Sequence, residues 1–319
     1  RFNFLGSSLE LADFDQDGDD DLALGAYGDD WCGDMYDCGS VFVIEGDPVG
    51  FPTGLHRASQ VADAVIYGGR GSQFGFSMAV LDAHRPGHRP KLVVGAPAFD
   101  AGTGRAYVLL NDGTRAGLPS GYIEDVADVV LQGTTTGAFF GSALDALAPV
   151  ATGSVTDDLL VNANNTGRSY LFRAASLSPG LTEDDVDAWA ELWASHASTP
   201  SGWMRGVSGH FDRDGDRDLA IGDYQAYSYG TSSSSKRYGS VYLLQGPLAA
   251  GTWDIAADAT WRFEGDRDNT WFGYTVATGD VNADGRDDLL VGQPYSQAEN
   301  GRAHLFYGPF DPLVGESPL

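Results

Sequence analysis

The densest chemistry in this 319-residue sequence lies in two nine-residue stretches, Asp13-Phe14-Asp15-Gln16-Asp17-Gly18-Asp19-Asp20-Asp21 and Asp280-Val281-Asn282-Ala283-Asp284-Gly285-Arg286-Asp287-Asp288. Side-chain oxygens stand at positions 1, 3, 5 and 9: Asp13, Asp15, Asp17 and Asp21 in the first, Asp280, Asn282, Asp284 and Asp288 in the second. Glycine at position 6 permits a sharp turn, and the backbone carbonyl of position 7, Asp19 or Arg286, is one more oxygen. Alternate spacing in so tight a loop turns these oxygens toward one centre. Such hard oxygen sets suit Ca²⁺, whose flexible coordination by six to eight ligands takes several carboxylates more readily than the strict octahedron of Mg²⁺. An Asp-Gly hairpin with its carboxylates in water is the competing expectation. Four converging acids repel without a cation, and the same spacing occurs twice, so two calcium sites are expected.

A third stretch, His210-Phe211-Asp212-Arg213-Asp214-Gly215-Asp216-Arg217-Asp218, has histidine at position 1. Imidazole is a poor Ca²⁺ ligand, so Asp212, Asp214, Asp218 and the Asp216 carbonyl would make a weaker, third site. Two further stretches, Asp82 to Lys91 and Asp145 to Asp158, lack the alternation and are expected to hold no metal.

These loops recur because the sequence repeats. Leu22-Ala23-Leu24-Gly25, Leu92-Val93-Val94-Gly95, Leu159-Leu160-Val161-Asn162, Leu219-Ala220-Ile221-Gly222 and Leu289-Leu290-Val291-Gly292 begin 70, 67, 60 and 70 residues apart. Each is preceded by an aromatic or Leu beside Gly: Leu5-Gly6, Phe74-Gly75, Phe140-Gly141, an inverted Gly202-Trp203, and Phe272-Gly273. Each is followed by a strand that starts after Gly39, Gly104, Gly167, Gly239 or Gly301, and a fourth apolar segment separates the copies. Four short antiparallel strands cannot bury their own faces, whereas sheets stacked face to face about an axis can. An all-β propeller of four-stranded blades is the expected fold. One domain spans 1–319, with repeats near 1–68, 69–133, 134–196, 197–265 and 266–319. Five blades are expected, with a fragment of a seven-bladed ring as the alternative and Leu313-Val314 as the closing strand. Thr182 to Trp193 is the one stretch with a helical period, and an inserted helix is an alternative there.

Phe-Gly, an Asp-rich turn, then Leu-Val-Val-Gly-Ala-Pro or Leu-Leu-Val-Gly-Gln-Pro resembles the FG-GAP repeat of integrin alpha-subunit heads and their bacterial relatives. The resemblance covers nearly the whole chain and is weakest where Asn162-Ala163-Asn164 replaces Gly-Ala-Pro. It implies Ca²⁺ at the hairpin positions named above. It also implies that partners engage the opposite face, where the 2-to-3 and 4-to-1 loops emerge. Two of those loops are long and aromatic, which offers Trp31, Tyr36, Tyr227 and Tyr229 as a recognition surface with Trp271 and Phe139 nearby.

With 45 acidic against 19 basic residues the net charge is -26, so nucleic acid and anionic membrane surfaces are not expected partners. No run approaches the roughly 18 apolar residues of a membrane span and no cationic-apolar leader stands at Arg1, so a mature, soluble chain without direct membrane insertion is expected. The two cysteines, Cys32 and Cys38, share one loop, and a disulfide between them fits an oxidising compartment. Scattered histidines and the absence of a nucleophile elbow or a phosphate-binding loop argue against an enzyme. The expectation is a secreted or cell-surface calcium-binding module for adhesion or protein binding, with a protein or glycan ligand. A lectin-like propeller is the alternative, and an enzyme or an accessory domain of one ranks lower.

Overall fold

In a computed structural model of the chain, residues 3–31, 37–47, 50–51, 54–83, 85–111, 117–195, 204–227, 237–295 and 300–310 are described. The fold is all-β. The first sheet is a meander of β1 (Leu5–Ala12), β2 (Asp21–Ala26), β3 (Ser40–Ile44) and β4 (Ala64–Tyr67). The second uses β5 (Met78–Leu81), β6 (Lys91–Ala96) and β7 (Arg105–Leu109), then a connection containing β8 (Gly121–Tyr122), then β9 (Val129–Gln132). The third has β10 (Phe140–Leu147), β11 (Asp158–Ala163) and β12 (Arg168–Arg173), a connection with β13 (Leu181–Asp184), and β14 (Ala190–Trp193). The fourth repeats this with β15 (Met204–Gly209), β16 (Asp218–Asp223), β17 (Ser240–Leu244), the connecting β18 (Gly251–Asp254) and β19 (Trp261–Glu264). The fifth has β20 (Thr275–Gly279), β21 (Asp288–Gln293) and β22 (Arg302–Phe306) among the described residues. Leu313 and Val314, like Gly202 and Trp203, lie outside them.

Each sheet is a propeller blade, and in the second, third and fourth the third-to-fourth connection does a second job. The strand within that connection pairs in parallel with the outer strand of the preceding blade: β8 with β4, β13 with β9, β18 with β14. An outer edge that would otherwise present unpaired backbone groups is thereby covered. This is why Thr182 to Trp193 is not a helix: it holds β13, a short 3₁₀ turn and β14, and the pairing of both strands outweighs the local period.

The chain divides into two compact units, Arg1–Leu144 with Ser176–Asp187, and Asp145–Ala175 with Ala188–Leu319. Within each, apolar side chains lie between the faces of successive blades. Ala23, Val41 and Val43 of the first blade meet Met78, Val80 and Val94 of the second in one unit. In the other, Ala220, Val241 and Leu243 of the fourth meet Leu289 and Val291 of the fifth. The Phe of each Phe-Gly is fully buried at Phe74, Phe140 and Phe272, each contributing about 2 to 3 kcal/mol by the area it removes from water. The adjoining glycines are steric requirements: a β-carbon on Gly25 would lie 2.3 Å from the Gly75 carbonyl oxygen, and one on Gly222 2.3 Å from that of Gly273.

Candidate metal centre

The first-to-second-strand turn of the first blade is built by its own side chains. Asp15 accepts from the Asp17 N–H (3.0 Å), Asp17 from the Asp19 N–H (2.9 Å) and Asp13 Oδ2 from the Gly18 N–H (3.1 Å), which coil the loop and leave a second oxygen on each carboxylate. Gln16 and Gly18 adopt left-handed φ of 68° and 103° to do so. Oxygens of Asp13, Asp15 and Asp21 come within 4.8 Å of one another. Asp13 Oδ1 is buried with no hydrogen-bond partner, an anionic atom that only a cation or water can satisfy. The donor set therefore fits Ca²⁺, and Asp13, Asp15, Asp17, Asp21 and the Asp19 carbonyl would hold it.

Position 9 has a role that the spacing did not reveal. Asp21 is buried, and its two oxygens accept from the Phe14 N–H (2.7 Å) and from the N–H of Gly46 (2.9 Å), just past β3. Asp218 does the same with Phe211 (3.1 Å) and Gly246 (3.0 Å), and Asp288 with Val281 (2.9 Å) and Gly308 (3.0 Å). The carboxylate is a fork that clips the hairpin to the third strand. In the third blade, where the alternation is missing, Asp158 still takes the Val150 and Ala151 N–H groups (2.8 Å each) and the Ser154 hydroxyl (2.7 Å). Asp145, at the start of that loop, turns away to Arg205 (3.3 Å) and the Gly206 N–H (3.0 Å). In the second blade Lys91 occupies the strand position of Asp21 and pairs with the buried Asp82. An ammonium thus stands in the hairpin that lacks the carboxylate set.

The fourth-blade loop brings Asp212, Asp214 and Asp218 oxygens within 4.8 Å. Two other groups reach into it. Gln245 donates to Asp212 Oδ2 (2.6 Å), and His210 Nδ1 lies 3.0 Å from the Asp216 carbonyl, which it can bond when that nitrogen carries the proton. Burial works against the charge of Asp212, yet the Asp214 N–H and the Gln245 amide together hold its carboxyl below the usual range. Asp218 is pushed up to about 6 by burial first, with Asp212 and Asp214 adding repulsion. In the last loop Asp280 accepts from the Asp284 and Gly285 N–H groups (3.0 and 2.8 Å), while the Asn282 amide donates to Asp284 (3.0 Å). The Arg286 N–H bonds Asp284 (2.9 Å), leaving the Arg286 carbonyl as the oxygen to offer a cation. Asp287 ties the two loops, accepting from the His210 N–H (2.8 Å).

A profile of the FG-GAP repeat matches residues 5–44 and 272–306, the first and last hairpins with their third strands. The chain carries FG-GAP repeats. Over 257 residues it is 28% identical to phosphatidylinositol-glycan-specific phospholipase D of Homo sapiens, covering 74% of this chain and 28% of that protein. The Bos taurus protein of the same name is 26% identical over 329 residues, covering 97% and 30%. Integrin alpha-IIb of Mus musculus is 43% identical over 65 residues, covering 18% of this chain and 6% of the integrin. The chain spans less than a third of the length of these relatives.

The aromatics of the expected recognition face fall into a set in each unit. Trp31, 63% exposed, lies 6.1 Å from Tyr67, which lies 5.9 Å from Tyr122, itself 53% exposed. Phe139 packs against Gly102 in the same unit. In the other unit Trp271 meets Tyr224 (4.9 Å), Tyr274 (5.6 Å) and Tyr295 (4.4 Å), and Tyr227 lies under the Arg237 guanidinium. Tyr36 and Tyr229, with Cys32, lie outside the described residues, and Cys38 is buried. Sequence reasoning missed Tyr67, Tyr122, Tyr274 and Tyr295, which sit in or beside strands with no loop signal. It also missed the backbone: the residue before each Phe-Gly or Leu-Gly, Phe4, Gln73, Phe139 and Trp271, has φ between 53° and 59°. That left-handed position costs energy for a bulky residue and recurs at the start of the first, second, third and fifth blades.

Proposed function

We propose that this chain is an extracellular calcium-binding propeller module for adhesion or protein binding, with Ca²⁺ structural in the first and last hairpins and weaker in the fourth. The buried, unpartnered Asp13 Oδ1 beside Asp15 and Asp21 carries the metal part of the reading. Extracellular modules of this kind bind Ca²⁺ at about 10⁻⁴ to 10⁻³ M, full outside cells and empty in cytosol. A disulfide between Cys32 and Cys38 belongs to the same compartment and would contribute roughly 2 to 3 kcal/mol. Among the described residues no helix is long and apolar enough to cross a membrane. FG-GAP repeats are not themselves catalytic, and we read the match to phospholipases D as a shared binding module. Calorimetric titration of the metal-stripped chain with Ca²⁺ tests this reading: two sites plus a weaker third are expected, and no heat of binding would overturn it.

The row of exposed Trp31, half-buried Tyr67 and exposed Tyr122 favours glycans as the second reading, since sugar rings stack on such faces while acidic neighbours accept hydroxyls. Selective glycan-array binding lost in Trp31→Ala would support it; binding to a protein ligand that survives both Trp31→Ala and Trp271→Ala would remove these rings from the recognition surface.

A further inference from the structure

The three carboxylate loops share a neighbour that lies outside the nine-residue pattern. The glycine that completes each fork, Gly46, Gly246 or Gly308, directly follows Glu45 in the first blade, Gln245 in the fourth and Tyr307 in the fifth. Each of these three comes just after the third strand of its blade. Register fixes the equivalence, since Leu22 pairs with Ile44, Leu219 with Leu244 and Leu289 with Phe306. In the second blade, whose hairpin holds Lys91 instead of a carboxylate set, the same position is Leu110.

This position looks onto the metal loop. In the fourth blade the Gln245 amide donates to Asp212 Oδ2 (2.6 Å) while the Asp214 N–H donates to Asp212 Oδ1 (2.8 Å), so both oxygens of the position-3 carboxylate are engaged. The Thr260 hydroxyl donates to the oxygen of the same amide (3.3 Å). In the first blade the position carries a carboxylate. A β-carbon on Gly117 would stand 3.0 Å from Glu45 Oε1 and 3.6 Å from Asp15 Cβ, so Glu45 and the position-3 acid of its loop flank one glycine. Asp63 takes the place of Thr260, each donating its N–H to the third strand, and accepts from the Glu45 N–H (2.9 Å). Partial burial first, then repulsion from Asp63, Asp15, Asp21 and Asp17, holds the Glu45 carboxyl above its usual value. The field of the loop therefore reaches this side chain.

We propose that this position grades the calcium affinities of the three hairpins: Glu45 strengthens the first, Tyr307 leaves the last to its own ligands, and Gln245 weakens the fourth. The grading rests on the calcium reading above. A carboxylate beside the loop adds to the pull on a dication without taking a coordination position. An amide that already donates to Asp212 must let go before that oxygen can turn to a cation. Glu45 and Gln245 are both exposed, so the charge effect is screened by salt and the hydrogen-bond effect is much less so.

Calorimetric Ca²⁺ titration of the full chain, of Glu45→Gln and of Gln245→Ala tests this. At low salt Glu45→Gln is expected to weaken one of the two tight sites about fivefold and leave the other sites alone. The loss should shrink at roughly 0.5 M salt. Gln245→Ala is expected to tighten the weakest site by about fivefold, at low and high salt alike. Melting curves in chelator check that each variant folds, and Glu45→Gln should melt no lower than the wild type there because repulsion is relieved. A wild type that takes up no Ca²⁺ would remove the calcium reading and the grading with it. Wild-type binding whose constants stay the same in either variant would overturn the grading and leave the calcium reading standing.

Discussion

At the scale of single residues, Asp13 and Asp21 do different work although both belong to one ligand pattern. Asp13 Oδ1 has no protein partner, whereas both oxygens of Asp21 are bonded to backbone N–H groups. Asp13→Asn should therefore weaken Ca²⁺ at the first loop by at least about tenfold, while the metal-free melting temperature holds or rises as repulsion with its neighbours is relieved. Calorimetry and a melt in chelator check the two halves separately. In the fourth loop His210→Asp supplies the missing carboxylate and frees the Asp216 carbonyl, so the weak site should tighten; a titration showing no gain would mean that position 210 is not a ligand position. Asp15 and Asp17 were legible as ligands because their spacing alone sets where they point. The fork at Asp21, Asp218 and Asp288 was not, because its partners Gly46, Gly246 and Gly308 lie 20 or more residues away and donate only backbone.

At the scale of elements, the five hairpins use three solutions to one problem, which is holding a strand turn over acidic or polar residues. The first, fourth and fifth use carboxylate loops, the second an ion pair between Lys91 and Asp82, and the third Asp158 with Ser154 and two backbone N–H groups. Chelation should loosen the first kind alone. Lys91→Met removes the ammonium paired with the buried Asp82 and is expected to cost roughly 1 to 3 kcal/mol, equally with and without Ca²⁺. Comparing the variant's melting shift in Ca²⁺ and in chelator reads this directly; a shift that Ca²⁺ abolishes would place metal in the second hairpin. The blades themselves were legible in Phe-Gly and Leu-Val-Val-Gly because period-two burial and glycine contacts are local signals. The edge strands β8, β13 and β18 were not, since each is defined by pairing with a strand of another blade, and Thr182 to Trp193 carries a helical period although it pairs as strands.

For the whole molecule, charge is the governing quantity. Asp218 and Asp223 are both pushed up to about 6, each chiefly by burial; for Asp223 the Gln225 N–H and the nearby Arg262 and Arg237 oppose the shift. A carboxyl whose folded pKa exceeds its unfolded value near 4 binds its proton more tightly when folded. Its contribution is therefore present below pH 4 and lost as pH rises through 6. Metal-free protein should melt lower at pH 7 than at pH 4.5 on this account, whereas Ca²⁺, which needs ionised ligands, should give a stabilising increment that grows over the same window. Melts across pH in chelator and in Ca²⁺ check both signs.

The most direct test of the account is thermal unfolding of the chain at pH 7 in about 2 mM Ca²⁺ and in excess chelator, with bound metal counted in the folded protein. Two or three ions and a melting temperature higher in Ca²⁺ by at least about 5 °C are predicted, since ligand bound only to the folded state stabilises it by mass action. No bound metal and superimposable melts would contradict it, and would reduce the Asp13 and Asp280 loops to hairpin turns.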